Sequence, residues 1–159
     1  GLMGLMAESA RKAGVPVTGV ILEALVPREV SGDVHEAIAT VVTKDMHERK
    51  ATMAALADAF VALPGGFGTL EETIEMITWQ QLGYHSKPVG LLNVDGFYDS
   101  LLRFFDDCVD TGFIRAESRG RVLCSADLDD LLSQLETYVA PESVTSLAKR
   151  GALSEEQRG

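Results

Sequence analysis

Short apolar runs alternate with longer amphipathic stretches along most of the chain. Apolar runs rich in β-branched residues predict strands at 15–22, 38–43, 58–63, 88–94 and 121–124. Apolar residues at helical spacing predict helices at 5–13, 45–57, 70–82, 99–112 and 127–139. Regular alternation of this kind is typical of a parallel sheet with right-handed crossovers. The pattern therefore predicts an α/β, Rossmann-like fold with helices on both faces, which binds ligands at the carboxyl ends of its strands.

Polar residues mark where several of these helices begin or end. Gly14 follows two basic residues and is predicted to end the first helix. Asp45, with Glu48 three residues later, is predicted to cap the second helix. Asp127 is predicted to cap the last helix in the same way.

The second predicted helix carries basic residues on or beside its apolar side. Helical spacing places Arg49 on the same face as Met46 and Met53. Two interpretations of Arg49 have similar weight: its stem covers the core, or its guanidinium faces a ligand. Lys50 lies about 100° further round the helix, where a secondary contact or a surface ion pair is expected.

The most distinctive stretch joins the third strand to the third helix, and reads Leu63-Pro64-Gly65-Gly66-Phe67-Gly68-Thr69-Leu70-Glu71-Glu72. Its glycines allow a tight turn and a close approach of the backbone to a ligand. The N–H groups at the start of the following helix then form an anion site. A phosphate is expected to bind the amides of Gly65, Gly66, Gly68 and Thr69, helped by the Thr69 hydroxyl.

Glutamates beside an anion-binding turn suggest acid–base or charge-stabilising chemistry. Glu72 and Glu75 are three residues apart and share a neighbouring helix face, whereas Glu71 points elsewhere. The plainer interpretation is that Glu71 and Glu72 stabilise the first helical turn. A core stripe is predicted on this helix at Leu70, Ile74, Ile77 and Leu82. The stretch is neither a Walker loop, since no Gly-Lys-Ser/Thr follows, nor a G-x-G-x-x-G dinucleotide fingerprint.

Composition narrows the class of protein and ligand. The chain has 159 residues and is 46% hydrophobic, which fits one domain, predicted over 1–140 with a mobile tail over 141–159. The net charge of −10 argues against nonspecific binding to nucleic acid, so backbone amides and a few cations must hold a phosphate. The two cysteines have neither a disulfide framework nor metal-ligand spacing. No apolar run reaches transmembrane length, and a cytoplasmic protein is expected.

Two segments carry a family resemblance. Residues 64–72 read P-G-G-F-G-T-L-E-E, and residues 46–50 read M-H-E-R-K. Together they resemble the P-G-G-x-G-T-x-x-E and M-x-x-R-K segments of the LOG ("Lonely Guy") family of cytokinin riboside 5′-monophosphate phosphoribohydrolases, often mislabelled as lysine decarboxylases. Weaker similarity is seen at 1–4, the end of the family's phosphate loop, and at 27–29, 78–83 and 87–93. The resemblance covers roughly residues 1–140.

The resemblance implies a homodimer in which Arg49 and Glu72 are the catalytic pair. The reaction itself needs no metal, no His/Cys/Asp cluster suggests one, and no cofactor is expected. It places Gly4, Met46 and Lys50 among the substrate-binding residues, and Glu75 as a weaker contact. Relative to the family pattern, a first strand, a first helix, a second strand and the start of a phosphate loop are missing. The chain is therefore expected to be a fragment, or its amino terminus is not represented. Decarboxylation would need a pyridoxal phosphate lysine, for which no lysine has a recognisable setting.

The predicted function is hydrolysis of the N-glycosidic bond of a nucleoside 5′-monophosphate, such as AMP or a cytokinin nucleotide. Bond cleavage builds positive charge on the ribose, which Glu72 is predicted to stabilise while also accepting a proton from water. Arg49 keeps its proton and is predicted to orient the substrate or steady the departing base or the phosphate. One alternative is a non-catalytic nucleotide-binding sensor or carrier that uses the same loop. The other alternative is a phosphoribosyl transferase. Such an enzyme would need an acidic motif for pyrophosphate and Mg²⁺ on a strand, which is not found in the sequence.

Overall fold

The computed structural model describes residues 1–25 and 38–146, and the chain divides into two compact units after Ala57. The first unit contains α1 (Leu2–Lys12), β1 (Thr18–Leu22), a 3-10 turn (Glu23–Leu25), β2 (Ala39–Thr43) and α2 (Met46–Leu56). The strands β1 and β2 pair in parallel, with Val20 opposite Val41. The segment 27–29, which carries part of the resemblance, lies outside the described residues. That the two units form one domain over 1–140 stays a prediction.

The second unit is built on a three-stranded parallel sheet, in the order β3 (Phe60–Ala62), β4 (Val89–Leu92) and β5 (Val122–Ser125). Its helices are α3 (Phe67–Leu82) between β3 and β4, α4 (Asp99–Asp110) and α5 (Ala116–Arg119) between β4 and β5, and α6 (Leu128–Glu136) after β5. In the register, Leu91 lies opposite both Ala62 and Cys124. Parallel pairing and alternation of strand with helix confirm the predicted α/β, Rossmann-like class.

Helices cover both faces of the sheet in the second unit. One face carries a buried core cluster, formed by Ala62, Leu91, Tyr98, Phe105 and Val122. Gly90 points to the opposite face, because successive residues of a strand alternate. There α6 approaches so closely that a Cβ on Gly90 would lie 2.9 Å from Cδ1 of Leu131. A side chain at position 90 would thus require the Leu131 side chain to shift.

The predicted helix caps form. The side chain of Asp45 accepts a 2.8 Å hydrogen bond from the N–H of Glu48, and Asp127 accepts a 2.9 Å bond from Asp130. The Glu48 carboxylate in turn accepts a 2.8 Å hydrogen bond from the N–H of Lys44. In a capping box this bond would come from the N–H of the capping residue itself, Asp45. These contacts fix the starts of α2 and α6 by local chemistry alone.

The predicted core stripe of α3 is only partly correct. Leu70 and Ile77 pack on the core cluster, whereas Ile74 and Leu82 are each 38% exposed. The buried residues of the helix are Thr73, Met76 and Gln80. Thr73 donates to the Thr69 carbonyl at 2.6 Å, and Gln80 donates to the Lys87 carbonyl at 2.7 Å. Polar side chains with such partners can occupy the buried face, which the hydrophobic pattern does not reveal.

The segment 141–146 lies against other parts of the second unit. Arg121, which is 2% exposed, donates a 2.7 Å hydrogen bond to the carbonyl of Glu142. The Thr145 hydroxyl donates a 2.9 Å bond to the carbonyl of Leu82, at the end of α3. Residues 141–146 are the start of the segment that was predicted to be a mobile tail, and these contacts hold them in place. The rest of that segment, 147–159, lies outside the described residues. Within the described ranges, no helix is both long and apolar enough to cross a bilayer.

Candidate functional site

The glycine-rich turn leads directly into the amino terminus of α3. Gly66 precedes the first helical residue, and the first bond within the helix runs from the Leu70 N–H to the Gly66 carbonyl at 3.1 Å. The N–H groups of Phe67, Gly68 and Thr69 therefore have no backbone acceptor within the helix. Because the helix dipole adds partial positive charge at the same place, this end of α3 suits an anion.

All four amides predicted to bind phosphate lie in this turn or in the first turn of α3. Gly65 and Gly66 precede the helix, whereas Gly68 and Thr69 lie inside it. The side chain of Thr69 packs over Gly65 so closely that a Cβ on Gly65 would lie 2.8 Å from the Thr69 Cβ. The turn therefore requires glycine at position 65, and the contact fixes the threonine side chain beside the predicted phosphate site.

The helix α3 begins at Phe67, three residues before the predicted start at Leu70, so its glutamates lie beyond the first turn. The first turn of the helix contains no acidic residue, so the interpretation that Glu71 and Glu72 stabilise that turn is wrong. Glu72 instead follows Thr69 by three residues, a spacing that places Cβ atoms about 5–6 Å apart on one face. Because helical side chains lean toward the amino terminus, the carboxylate of Glu72 is expected to extend toward the anion-binding end.

Burial distinguishes the three glutamates of α3. Glu71 is exposed, whereas Glu72 and Glu75 are half-buried. Glu72 immediately precedes the buried Thr73, and Glu75 immediately precedes the buried Met76. The Oε2 atom of Glu75 is itself buried. As predicted, Glu72 and Glu75 lie along one edge of the helix and Glu71 lies elsewhere.

The basic candidates lie in the first unit, on α2. Met46 is the first residue of this helix and is 40% exposed. Arg49 is half-buried, and its Nε donates a 3.0 Å hydrogen bond to the Val20 carbonyl of β1. Lys50 is only 8% exposed, so the expectation of a surface ion pair is wrong. A buried ammonium requires polar neighbours, which the helical pattern of the sequence does not identify.

Gly4 lies inside the first turn of α1. The helix begins at Leu2, and the N–H of Leu5 donates to the Gly1 carbonyl at 3.2 Å. The N–H groups of residues 2–4 thus form a second helix amino terminus without backbone acceptors in the helix. The residues predicted as the end of a phosphate loop are therefore helical, and Gly4 contributes a helix-end amide.

Tyr98 contacts the glycine-rich turn, although the sequence did not single it out. Its hydroxyl donates a 2.6 Å hydrogen bond to the carbonyl of Leu63, the residue that precedes Pro64. Burial raises the pKa of the Tyr98 hydroxyl, which keeps the phenol protonated as a donor. The only sequence signal for this position is the Asp95-Gly96 turn just after β4. In the described residues, no three His, Cys, Asp or Glu side chains form a group able to hold a metal ion.

Comparison with known proteins identifies related sequences. A family model described as "possible lysine decarboxylase" matches residues 3–135. The chain is 52% identical over 139 residues to cytokinin riboside 5′-monophosphate phosphoribohydrolase LOG2 of Arabidopsis thaliana, covering 87% of this chain and 64% of that protein. It is 53% identical over 138 residues to cytokinin riboside 5′-monophosphate phosphoribohydrolase LOG7 of Arabidopsis thaliana, covering 87% of this chain and 63% of that protein.

A rice relative extends the match. The probable cytokinin riboside 5′-monophosphate phosphoribohydrolase LOGL1 of Oryza sativa subsp. japonica is 49% identical over 158 residues, covering 95% of this chain and 70% of that protein. The chain spans less than two thirds of the two Arabidopsis proteins, at 64% and 63% of their lengths. The family model, these identities and the segments at 46–50 and 64–72 establish that the chain belongs to the LOG family.

Proposed function

We propose that the protein cleaves the N-glycosidic bond of a nucleoside 5′-monophosphate to give the free base and ribose 5-phosphate. The observation that carries this proposal is an arrangement on one helix. The amides of Gly68 and Thr69 stand at the start of α3, and the half-buried Glu72 follows within one turn. The relatives named above are called cytokinin riboside 5′-monophosphate phosphoribohydrolases, which supports the same class of reaction.

The phosphate anchors the substrate at the amino terminus of α3, and the ribose then extends along the helix toward Glu72. As the bond between C1′ and the base nitrogen breaks, positive charge develops on the ribose ring. The carboxylate of Glu72 stabilises that charge and accepts a proton from the water whose oxygen attacks C1′. The departing base takes up one proton at the nitrogen that held the ribose, which balances the proton that Glu72 accepts from water. No electrons are exchanged, and no metal or cofactor is needed.

Arg49 is the second member of the proposed catalytic pair. The planar fork of its guanidinium can hold a phosphate or the departing base with two parallel hydrogen bonds. The 3.0 Å bond from its Nε to the Val20 carbonyl fixes one edge of the group. This anchoring supports a positioning role for the guanidinium.

The substrate is proposed to be AMP or a cytokinin nucleotide. Both contain the phosphoribose group that the proposed site would bind. The names of the relatives favour the cytokinin nucleotide. The protein is further proposed to be a cytoplasmic homodimer that binds neither nucleic acid nor membrane. The dimer rests on the family resemblance, and the exclusion of nucleic acid rests on the net charge of −10.

A pair of adjacent variants tests this proposal against a non-catalytic nucleotide-binding module. In Glu72→Gln, turnover of AMP should fall on the order of 100-fold or more, with affinity for ribose 5-phosphate kept. Glu71→Gln changes an exposed glutamate on the same helix and should leave both quantities near the wild-type values. Equal turnover by Glu72→Gln would remove Glu72 from the mechanism. Binding without turnover in the wild-type protein would identify a binding module.

A further inference from the structure

We propose that Tyr98 is a positioning residue for the phosphate-binding turn, an inference that rests on the proposed function. Tyr98 is 1% exposed, and its hydroxyl donates to the Leu63 carbonyl at 2.6 Å across 35 positions of sequence. Leu63 lies between the last residue of β3 and Pro64, at the point where the chain leaves the sheet. The hydrogen bond therefore restrains the first peptide of the turn.

Tyr98 is itself held by the residue that follows β4. Its backbone N–H donates a 2.7 Å hydrogen bond to Oδ1 of Asn93. The side-chain Nδ2 of Asn93 donates to Asp99 at 2.8 Å, and its backbone N–H donates to the Ser125 carbonyl at 2.8 Å. These bonds fix the orientation of Asn93 and, through it, the position of the tyrosine backbone.

The result is one chain of hydrogen bonds across the carboxyl ends of all three strands of this sheet. It runs from Ser125 at the end of β5, through Asn93 after β4 and Tyr98, to Leu63 after β3. Ligands of parallel α/β sheets bind at this edge. The chain of bonds thus ties the start of the phosphate-binding turn to the ends of β4 and β5.

The ring of Tyr98 and its hydroxyl have separable roles. The ring belongs to the core cluster with Leu91 and Phe105, so replacing it with a small side chain would damage the fold. Tyr98→Phe keeps the ring and removes only the donor to Leu63. The turn then loses its restraint, and the amides at the start of α3 bind phosphate less well.

The proposed role predicts a selective effect on phosphate binding. In the full-length protein, Tyr98→Phe should raise both KM for the nucleoside monophosphate and Ki for ribose 5-phosphate about two- to tenfold, as expected for loss of one hydrogen bond. Because the phosphate is bound equally before and during the reaction, kcat should remain within about twofold. Inorganic phosphate, as a competing ligand, should lose affinity in the same proportion.

Tyr138→Phe is the matched control, since it removes another buried tyrosine hydroxyl from the same unit. It should leave Ki for ribose 5-phosphate unchanged. Equal Ki values in Tyr98→Phe and the wild type would overturn the positioning role alone. Failure of the wild-type protein to bind ribose 5-phosphate would overturn the proposed function and this inference together. Should Tyr98→Phe not fold, Asn93→Ser loosens the same bonds, and an unchanged Ki in that variant would also overturn the role.

Discussion

The side chain of Thr69 occupies the space beside Gly65 that any other residue at position 65 would need. A Cβ on Gly65 would lie 2.8 Å from the Thr69 Cβ, closer than real side chains pack. The two residues are four apart in sequence, one in the turn and one in the first turn of α3. Their contact explains why the turn and the start of the helix form a single unit that presents backbone amides.

Gly65→Ala should therefore weaken phosphate binding through a steric effect. The added methyl must displace the Thr69 side chain, which distorts the turn and costs about 1–3 kcal/mol of unfolding free energy. KM for the nucleoside monophosphate should rise along with the loss of stability. Chemical denaturation and steady-state kinetics measure the two effects.

Gly68→Ala is the stability control for this substitution. Among the residues that the structure describes, none would lie within 4 Å of a Cβ on Gly68, and alanine favours a helix over glycine by about 1 kcal/mol. Gly68→Ala should thus raise the unfolding free energy where Gly65→Ala lowers it. Equal stabilities for the two variants would contradict the proposed contact between Thr69 and Gly65.

Gly90→Ala should destabilise the second unit by displacing the Leu131 side chain that packs over the sheet. The new methyl would lie 2.9 Å from Cδ1 of Leu131, which is fully buried, and overpacking of this kind costs about 1–3 kcal/mol. Adding Leu131→Ala should recover part of that loss. The double variant should therefore lose less unfolding free energy than the two single variants lose together. Strict additivity in denaturant unfolding would show that the two residues are not in contact.

Arg121→Met should be strongly destabilising because this arginine, just before β5, is buried. Arg121 is 2% exposed and donates to the backbone carbonyls of Gln80, Pro141 and Glu142. Its removal therefore takes the arginine donor from all three carbonyls, of which that of Gln80 belongs to a buried residue. A loss of about 1–3 kcal/mol is expected in denaturant unfolding. Arg119→Met breaks an ion pair with the exposed Asp106 and should cost less than about 1 kcal/mol. Similar losses in both variants would contradict a special role for Arg121.

His85 should make stability depend on pH below its ordinary pKa of 6.5. Burial, with the nearby charge of Lys87, lowers the pKa of His85, and its Nδ1 accepts a 3.2 Å hydrogen bond from the Lys87 N–H. Below pH 6.5 the unfolded chain binds more protons than the folded one, so the unfolding free energy falls as the pH falls. The slope from this group is at most about 1.4 kcal/mol per pH unit.

His85→Gln should remove this contribution to the slope between pH 6.5 and the lowered pKa. The matched control is His47→Gln, which changes an exposed histidine. Unfolding free energies measured by urea titration at several pH values give the slopes. A slope in His85→Gln equal to that of the wild type would show that His85 does not titrate differently on folding.

The sequence predicted those features that depend on nearby residues. Asp45 and Asp127 cap their helices because a short carboxylate reaches an N–H three residues later. The alternation of apolar runs with helical patterns located all five described strands along the chain. Gly68 has poor helix propensity, however, so the prediction began α3 at Leu70 when it begins at Phe67.

Other features depend on contacts between residues distant in sequence. Tyr98 reaches Leu63 across 35 positions, and nothing in its immediate neighbours indicates that partner. Lys50 and Arg121 are buried, although cations are ordinarily exposed. Their burial depends on polar partners that only the folded chain supplies. Pattern analysis therefore located the turn and Glu72 but missed the hydrogen bonds that hold the turn in place.

The most direct measurement of the central claim is product analysis after incubating the full-length protein with AMP or isopentenyladenosine monophosphate, without added metal. The account predicts equal amounts of free base and ribose 5-phosphate by chromatography, with the faster substrate defining the base preference. Release of inorganic phosphate and intact nucleoside would contradict it, because a different bond would have been cleaved. Recovery of unchanged nucleotide would contradict it equally.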